Sequence, residues 1–244
     1  MVCRLVWITG ASSGIGAALV ARRPWVDARV IGIGRRPPPA PAEHLEADLA
    51  DPASWPKVAG AFAAAVSRDQ PERVVLFQAA GTLDPIGFAG RVDGEAYNAN
   101  VVLNSAAPQI LGHAFLAATS AVLRRHLVML TSGAARTAYP GWSSYGAAKA
   151  GVDQWVRAVG AEQSMVAAAG GAAAQVLSVA PGMVDTTMQA QLRAAREADF
   201  PQRQKFEDLH RDGRLTAPDE VARRLWTLVD GDLATGSVVD LRHL

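Results

Sequence analysis

An apolar run of strand length, Cys3–Thr9, passes directly into Gly10-Ala11-Ser12-Ser13-Gly14-Ile15-Gly16 and then into the helix-favouring Ala17-Ala18-Leu19-Val20. Strand, glycine turn and helix in immediate succession constrain the chain strongly. Glycine accepts the tight turn and lets backbone N–H groups at a helix N-terminus approach a pyrophosphate. Ser12 and Ser13 add hydroxyl donors. The spacing G-x-x-x-G-x-G departs from the G-x-G-x-x-G dinucleotide fingerprint. Alone, such a turn is equally an ordinary strand-to-helix loop; its place at the head of an alternating chain favours the phosphate reading.

That alternation continues to the C-terminus. Short apolar runs at Arg29–Gly34, His44–Asp48, Arg73–Gln78, His126–Thr131, Gln175–Val179 and Ser237–Leu241 predict six more strands. Helical stretches are expected at Gly14–Arg22, Ala53–Ser67, Leu103–Arg124, Ser144–Ala168, Gln189–Ala198 and Pro218–Asp230. The pattern predicts an α/β fold: one doubly wound Rossmann domain over residues 1–244, its mostly parallel seven-stranded sheet covered by helices on both faces. Ligands then gather outside the carboxyl ends of the strands. Thr9, Asp48, Gln78, Ser132 and Pro181 all stand at or just past such ends.

Composition narrows the function classes. Half of the 244 residues are hydrophobic, enough for a large core, and the net charge is +1, so no nucleic-acid partner is expected. There is no uninterrupted apolar run of membrane-spanning length and no visible signal peptide, so no membrane association is expected. The single cysteine, Cys3, allows no internal disulfide, and the five histidines show no metal-ligand spacing. A cytoplasmic protein with no bound metal fits these features.

The chemistry-bearing constellation is Ser132, Tyr145 and Lys149. Tyr145 and Lys149 are four apart and share one face of a helix. An ammonium beside a phenol favours the phenolate and is expected to lower its pKa from about 10. Ser132 closes the apolar run His126–Thr131, where its hydroxyl can bond a substrate oxygen beside the phenol. A chance Y-x-x-x-K with an upstream Ser is common; the nucleotide-type turn is what gives this one weight.

Taken together, these motifs resemble the short-chain dehydrogenase/reductase family from Cys3 to about Leu241. Thr9-Gly10-Ala11-Ser12-Ser13-Gly14-Ile15-Gly16 matches its T-G-x-x-x-G-x-G cofactor motif, and Ser132, Tyr145 and Lys149 match its catalytic residues. Pro181-Gly182-Met183-Val184-Asp185-Thr186 matches its P-G-x-x-x-T segment, whose backbone and Thr contact the nicotinamide carboxamide. The resemblance implies hydride transfer to a carbonyl, with Tyr145 as proton donor, Ser132 orienting the oxygen and Lys149 gripping the nicotinamide ribose. An Asn on the helix before the Ser strand supports the proton relay in this family. Asn104, 28 residues before Ser132, suits that role; Asn100 and Asn98 are alternatives, and an N-cap role for Asn104 stays open.

An acidic residue that binds the ribose hydroxyls is replaced here by Gly34, followed by Arg35 and Arg36. Arginine pairs with a 2′-phosphate, so NADP(H) is expected over NAD(H), unless both are merely solvated loop charges. Asp48, followed by Leu49, matches the position that bonds the adenine amino group, though it is equally a turn or cap residue. The family's N-N-A-G is Gln78-Ala79-Ala80-Gly81 here. Ala80 and Gly81 still allow close cofactor approach, whereas the Asn that braces the sheet is Ala79.

Gly133, Ala134, Trp142, Met183 and Met188 flank the expected substrate position, with Leu192 beside them and a mobile loop at about 187–213. Ser-Gly-Ala-Ala, Gly-Trp-Ser-Ser-Tyr and Pro-Gly-Met-Val-Asp-Thr resemble the sepiapterin reductase and benzil reductase branch. That implies a ketone or α-dicarbonyl substrate, with a diketone favoured over a pterin. The alternatives are an alcohol dehydrogenase running oxidatively and a non-catalytic cofactor sensor. A homodimer or homotetramer through helices 103–124 and 144–168 is expected.

Overall fold

A computed structural model describes residues 3–244. Strands β1 (Arg4–Thr9), β2 (Arg29–Gly34), β3 (Glu43–Glu46), β4 (Arg73–Gln78), β5 (Arg124–Leu130), β6 (Gln175–Ala180) and β7 (Val238–Asp240) form one sheet. All are parallel, in the order β3-β2-β1-β4-β5-β6-β7. This is the doubly wound seven-stranded arrangement the alternation predicts.

Strand side chains alternate between faces, and both faces are apolar because helices cover both. Leu5, Trp7, Leu76, Leu127 and Met129 pack toward α2 (Trp55–Asp69), α4 (Ala107–Ala118) and α5 (Ser143–Ala168). Val6, Ile8, Phe77, Val128 and Val179 pack toward α1 (Gly14–Ala21) and α8 (Pro218–Val229). On the first face, Trp7 meets Phe62 and Phe115 edge to face, at centroid separations of 5.1 and 5.9 Å. A side chain as fully buried as Phe62 contributes on the order of 1.5–3 kcal/mol through burial alone.

The helix expected at Leu103–Arg124 is displaced. α3 (Gly94–Val101) begins it, a π-helical turn at Val102–Ala106 follows, and α4 completes it. Asp93 starts α3 by accepting the Ala96 N–H at 2.8 Å. At the other end Thr119 closes α4 by donating to the Phe115 carbonyl at 2.8 Å, and β5 already begins at Arg124. No uninterrupted apolar run of membrane-spanning length was expected, yet Gly94–Ala118 spans 25 residues with a mean hydropathy of 1.3, enough to cross a membrane by length and composition. In this fold it lies on the sheet, with Ala107, Leu111 and Phe115 in the core.

Residues 187–213, the expected substrate loop, carry α6 (Thr187–Ala194), two residues ahead of the helix expected to start at Gln189, and α7 (Arg203–Arg211), which was not expected. Because β4 lies beside β1 on the side away from β2, the connections leave the sheet in opposite directions there. The crevice at that switch point is where ligands bind in such sheets.

Candidate active site

A cleft of about 550 Å³ opens at this crevice. Its walls bring together Gly10, Ser12, Ser13, Gly14, Ile15 and Gly16 with Arg35, Arg36, Asp48, Leu49, Ala80, Gly81, Tyr145, Lys149, Pro181 and Thr186. Two of the expected cofactor residues lie off its walls, as do the expected catalytic residues Ser132 and Asn104. Gly182, at φ +82°, sits under Arg242, and Val184 packs into the core beside α8.

The glycine turn is sterically required. Gly10 has φ +69°, and a Cβ there would stand 2.8 Å from the Ala80 Cα. A Cβ on Gly16 would stand 2.2 Å from the Gly10 carbonyl oxygen. Ser13, in extended conformation, precedes α1 without capping it through its side chain, and no acidic residue occupies the first turn. The free N–H groups of that turn therefore meet the cleft without a competing negative charge, which suits a pyrophosphate. These features fit a dinucleotide.

A brace that the sequence reading missed holds the cleft floor. Thr9 Oγ1 accepts the N–H groups of Ala79 at 3.0 Å and Ala80 at 3.1 Å, tying the ends of β1 and β4. Gln78 receives a longer bond from the Thr9 hydroxyl, at 3.4 Å, and donates from Nε2 to the Pro108 carbonyl at 3.2 Å. Gln78 thus supplies an amide link between sheet and helix where Ala79 has none. A polar residue closing an apolar strand was the available signal for Thr9.

At the end of β2, Arg35 is 76% exposed and its Nη1 lies 3.9 Å from Asp48 Oδ2. Asp48 Oδ1 accepts the Ala50 N–H at 3.0 Å, so one oxygen holds a turn while the other faces the arginine. Both readings of Asp48, turn residue and cleft residue, therefore apply.

Tyr145 and Lys149 lie one turn apart near the start of α5, and both are buried. Lys149 Nζ donates to the Leu130 carbonyl at 2.9 Å and lies 5.7 Å from the Tyr145 ring centroid. Burial pushes the Tyr145 phenol above its ordinary range, and hydrogen bonding by Ser132 opposes it. The expected lowering of the phenol is therefore not what this environment favours: burial is the largest influence on it. Burial also lowers Lys149 to about 8, against the attraction of Asp153 one turn further along α5. Ser132 Oγ accepts the Ala134 N–H at 3.2 Å and so opens the short turn Gly133–Ala135.

Asn104 sits in the π-helical turn, fully buried, so the N-cap reading does not apply to it. Its Oδ1 accepts the Thr82 N–H at 3.1 Å, and its Nδ2 donates to the Thr82 carbonyl at 2.8 Å and to Asn100 Oδ1 at 3.1 Å. Asn100 in turn donates to the Asp84 carbonyl at 2.7 Å, whereas Asn98 is exposed. A Cβ on Gly81 would lie 2.9 Å from Asn104 Oδ1 and 3.9 Å from Lys149 Nζ, so this glycine keeps open the space between the amide and the ammonium. Thr82 and Asn100 are further residues of the site, both on the cleft wall.

Beyond Tyr145 lies an apolar wall. Trp142 stacks on Phe200 at 4.7 Å and reaches the Tyr145 ring at 5.5 Å. Ala134, Leu83, Leu192, Phe206, Met183 and Met188 belong to the same cluster. Gly133 stands beside it without a side chain. Phe200 and Phe206 were not anticipated, because their partners lie on distant segments. Thr186 starts α6 by accepting the Gln189 N–H at 3.4 Å.

The family model of short chain dehydrogenases matches residues 4–197. The chain is similar to benzil reductase ((S)-benzoin forming) of Bacillus subtilis (strain 168), 28% identical over 240 residues and covering 97% of each chain. It is similar to the sepiapterin reductase of Mus musculus, 28% identical over 260 residues, covering 98% of this chain and 96% of the relative. Its fold matches a crystal structure of a short chain dehydrogenase/reductase from Saccharomyces cerevisiae, with a TM-score of 0.79 at 21% identity over 97% of this chain and 95% of that one.

Proposed function

Because the chain belongs to the short chain dehydrogenase family, we propose that it is an NADPH-dependent reductase of ketones or α-dicarbonyl compounds. The observation that carries this reading is the meeting of Tyr145, Lys149 and the glycine turn on one cleft, with Ser132 opening the turn beside it and the Trp142 wall adjoining. The similarity to benzil and sepiapterin reductases supports carbonyl reduction as the direction of chemistry.

A nicotinamide dinucleotide bound in the cleft would supply the hydride. The residues do the rest. The α1 N-terminus with Ser12 and Ser13 takes the pyrophosphate, and Arg35 with Arg36 takes a 2′-phosphate in place of the loose Asp48 contact. Asp48 and Leu49 border the adenine, and Pro181 and Thr186 border the nicotinamide. Tyr145, held protonated by burial, donates its phenolic proton to the developing alkoxide. Ser132 bonds the same oxygen and orients it. Lys149, cationic below about 8, stabilises the negative charge left on the phenol. Asn104 supports replacement of the proton through the space beside Gly81. Gly133, Ala134, Trp142, Met183 and Met188 surround the apolar body of the substrate.

The protein acts in the cytoplasm as a homodimer or homotetramer. The exposed Val101 and Ile110 of helix 94–118, together with Met165 and Val166 of α5, support an interface on those helices. The test is consumption of NADPH and NADH with a panel of diketones, sepiapterin and simple aldehydes. NADPH-dependent turnover of a diketone is the expected result; turnover with NADH alone, or of none of the carbonyl compounds, contradicts the reading.

A further inference from the structure

Three cations stand on segments that adjoin the apolar wall. Lys205, on α7, donates from Nζ to the Tyr139 hydroxyl at 2.9 Å and lies 5.1 Å from that ring's centroid and 5.9 Å from that of Phe206. Arg136, four residues after Ser132, reaches the Asp240 carboxylate at 3.3 Å. Arg242 holds the same carboxylate at 2.6 and 2.9 Å. The Asp240 side chain is only 3% exposed, so a buried acid anchors both guanidinium groups. Arg242 also lies against Gly182, in the segment that leads from the cleft to Met183. Arg242 is tied through Asp240 to Arg136, which stands three residues before Tyr139, the residue that Lys205 contacts.

The charge here is unbalanced. Neighbouring arginines of this region are matched by carboxylates: Arg196 by Asp199, Arg203 by Glu207 and Arg211 by Asp208, while Arg193 is held by the Gln189 amide. Asp240 alone answers both Arg136 and Arg242, and among the described residues Lys205 forms no ion pair. The cluster thus keeps an excess of positive charge on side chains already held in place. It is also close to the reacting centre: Tyr139 lies 5.2 Å from Trp142, which lies 5.5 Å from Tyr145.

We infer that Lys205, Arg136 and Arg242 form an anion subsite beside the aromatic wall, and that the carbonyl substrate carries a carboxylate remote from the reacting carbon. This rests on the carbonyl reductase reading. An apolar or aromatic spacer along Trp142 and Phe206 joins the two ends of the substrate. Guanidinium forks and an ammonium together make charge-assisted bonds to a carboxylate, and the aromatic wall lowers the local dielectric and strengthens them. A neutral diketone fills the wall and leaves the cations to solvent.

The experiment compares 1-phenyl-1,2-propanedione with the same compound bearing a para-carboxylate, as substrates with NADPH and as ligands in equilibrium titration. The wild-type protein, Lys205→Gln, Lys205→Arg and the Lys205→Gln/Arg136→Gln double variant are used. In the wild type the carboxylated compound is expected to show a KM and Kd about ten-fold below those of the neutral one, the scale of one charge-assisted contact. That ratio collapses toward one in Lys205→Gln and in about 0.5 M salt, where the Debye length is a few ångströms, and it is retained in Lys205→Arg. Equal Kd values for the two compounds in the wild type, or a preference that survives the double variant, overturn the subsite. Absence of turnover with both compounds overturns the reductase reading, while the Kd ratio still decides the subsite.

Discussion

Lys149 Nζ lies 5.7 Å from the Tyr145 ring centroid while donating to the carbonyl of Leu130, at the end of the neighbouring strand. The ammonium is therefore held by the sheet rather than bonded to the phenol. Burial then sets both proton affinities, raising that of Tyr145 and lowering that of Lys149 to about 8. A donor that must be protonated and a helper that must be charged are both in their working states below that pH.

The pH dependence follows with its sign. As pH rises through about 8, Lys149 loses its proton, and the phenolate formed in the reaction loses its counter-charge. The rate of carbonyl reduction at saturating substrate is expected to fall about ten-fold per pH unit above that point, as the charged fraction falls. A rate profile flat from pH 7 to about 10 would show that Lys149 keeps its proton throughout, at the unperturbed value for lysine.

Gly16→Ala places a methyl group 2.2 Å from the Gly10 carbonyl oxygen, with backbone on both sides and no flexible side chain to yield. The variant is expected to lose on the order of 2 kcal/mol or more of stability, as overpacking against backbone does, and to bind cofactor poorly. Denaturant unfolding with the midpoint unchanged would remove the steric account of this turn.

Arg35 is highly exposed and has only a 3.9 Å contact to Asp48 to leave. Arg35→Ala is expected to weaken NADPH binding by about ten-fold or more, the loss of a charge-assisted phosphate bond, with a much smaller effect on NADH. Titration of both cofactors into wild type and variant decides it. Equal losses for the two would assign Arg35 a structural role.

Asn104→Ala strips partners from the Thr82 N–H, the Thr82 carbonyl and Asn100 in a buried network. A destabilisation of about 1–3 kcal/mol is expected from the unsatisfied groups, together with a fall in kcat larger than any change in KM. A variant with normal stability would mean that water or Asn100 takes over the network.

Strand ends were most legible where a parallel strand is a short apolar run that stops at a polar or glycine residue: Arg29–Gly34 and Arg73–Gln78 are found as expected, whereas the polar β3 (Glu43–Glu46) lies ahead of the expected His44–Asp48. The glycine turn and Ser132 followed from those ends, and Tyr145 with Lys149 from their four-residue spacing. What stayed hidden has identifiable causes. The π-helical turn around Asn104 breaks the helical period, and α3 carries Gly94, Tyr97 and two asparagines, which are weak helix formers. α7 has only Phe206 and Leu209 as apolar residues among seven polar ones, too short a stripe to stand out in the sequence. The raised phenol reflects burial in the cluster with Trp142, Leu192, Phe200 and Phe206, a tertiary effect that the four-residue spacing of Tyr145 and Lys149 does not encode.

The central claim, that Tyr145 passes the proton during NADPH-dependent carbonyl reduction, is tested most directly by Tyr145→Phe. NADPH binding and single-turnover oxidation of NADPH by a diketone are measured side by side on wild type and variant. The account predicts NADPH affinity within a few-fold of wild type and a turnover rate lower by at least about 100-fold, the usual contribution of a positioned acid. A variant that binds NADPH and reduces the diketone at the wild-type rate would contradict it.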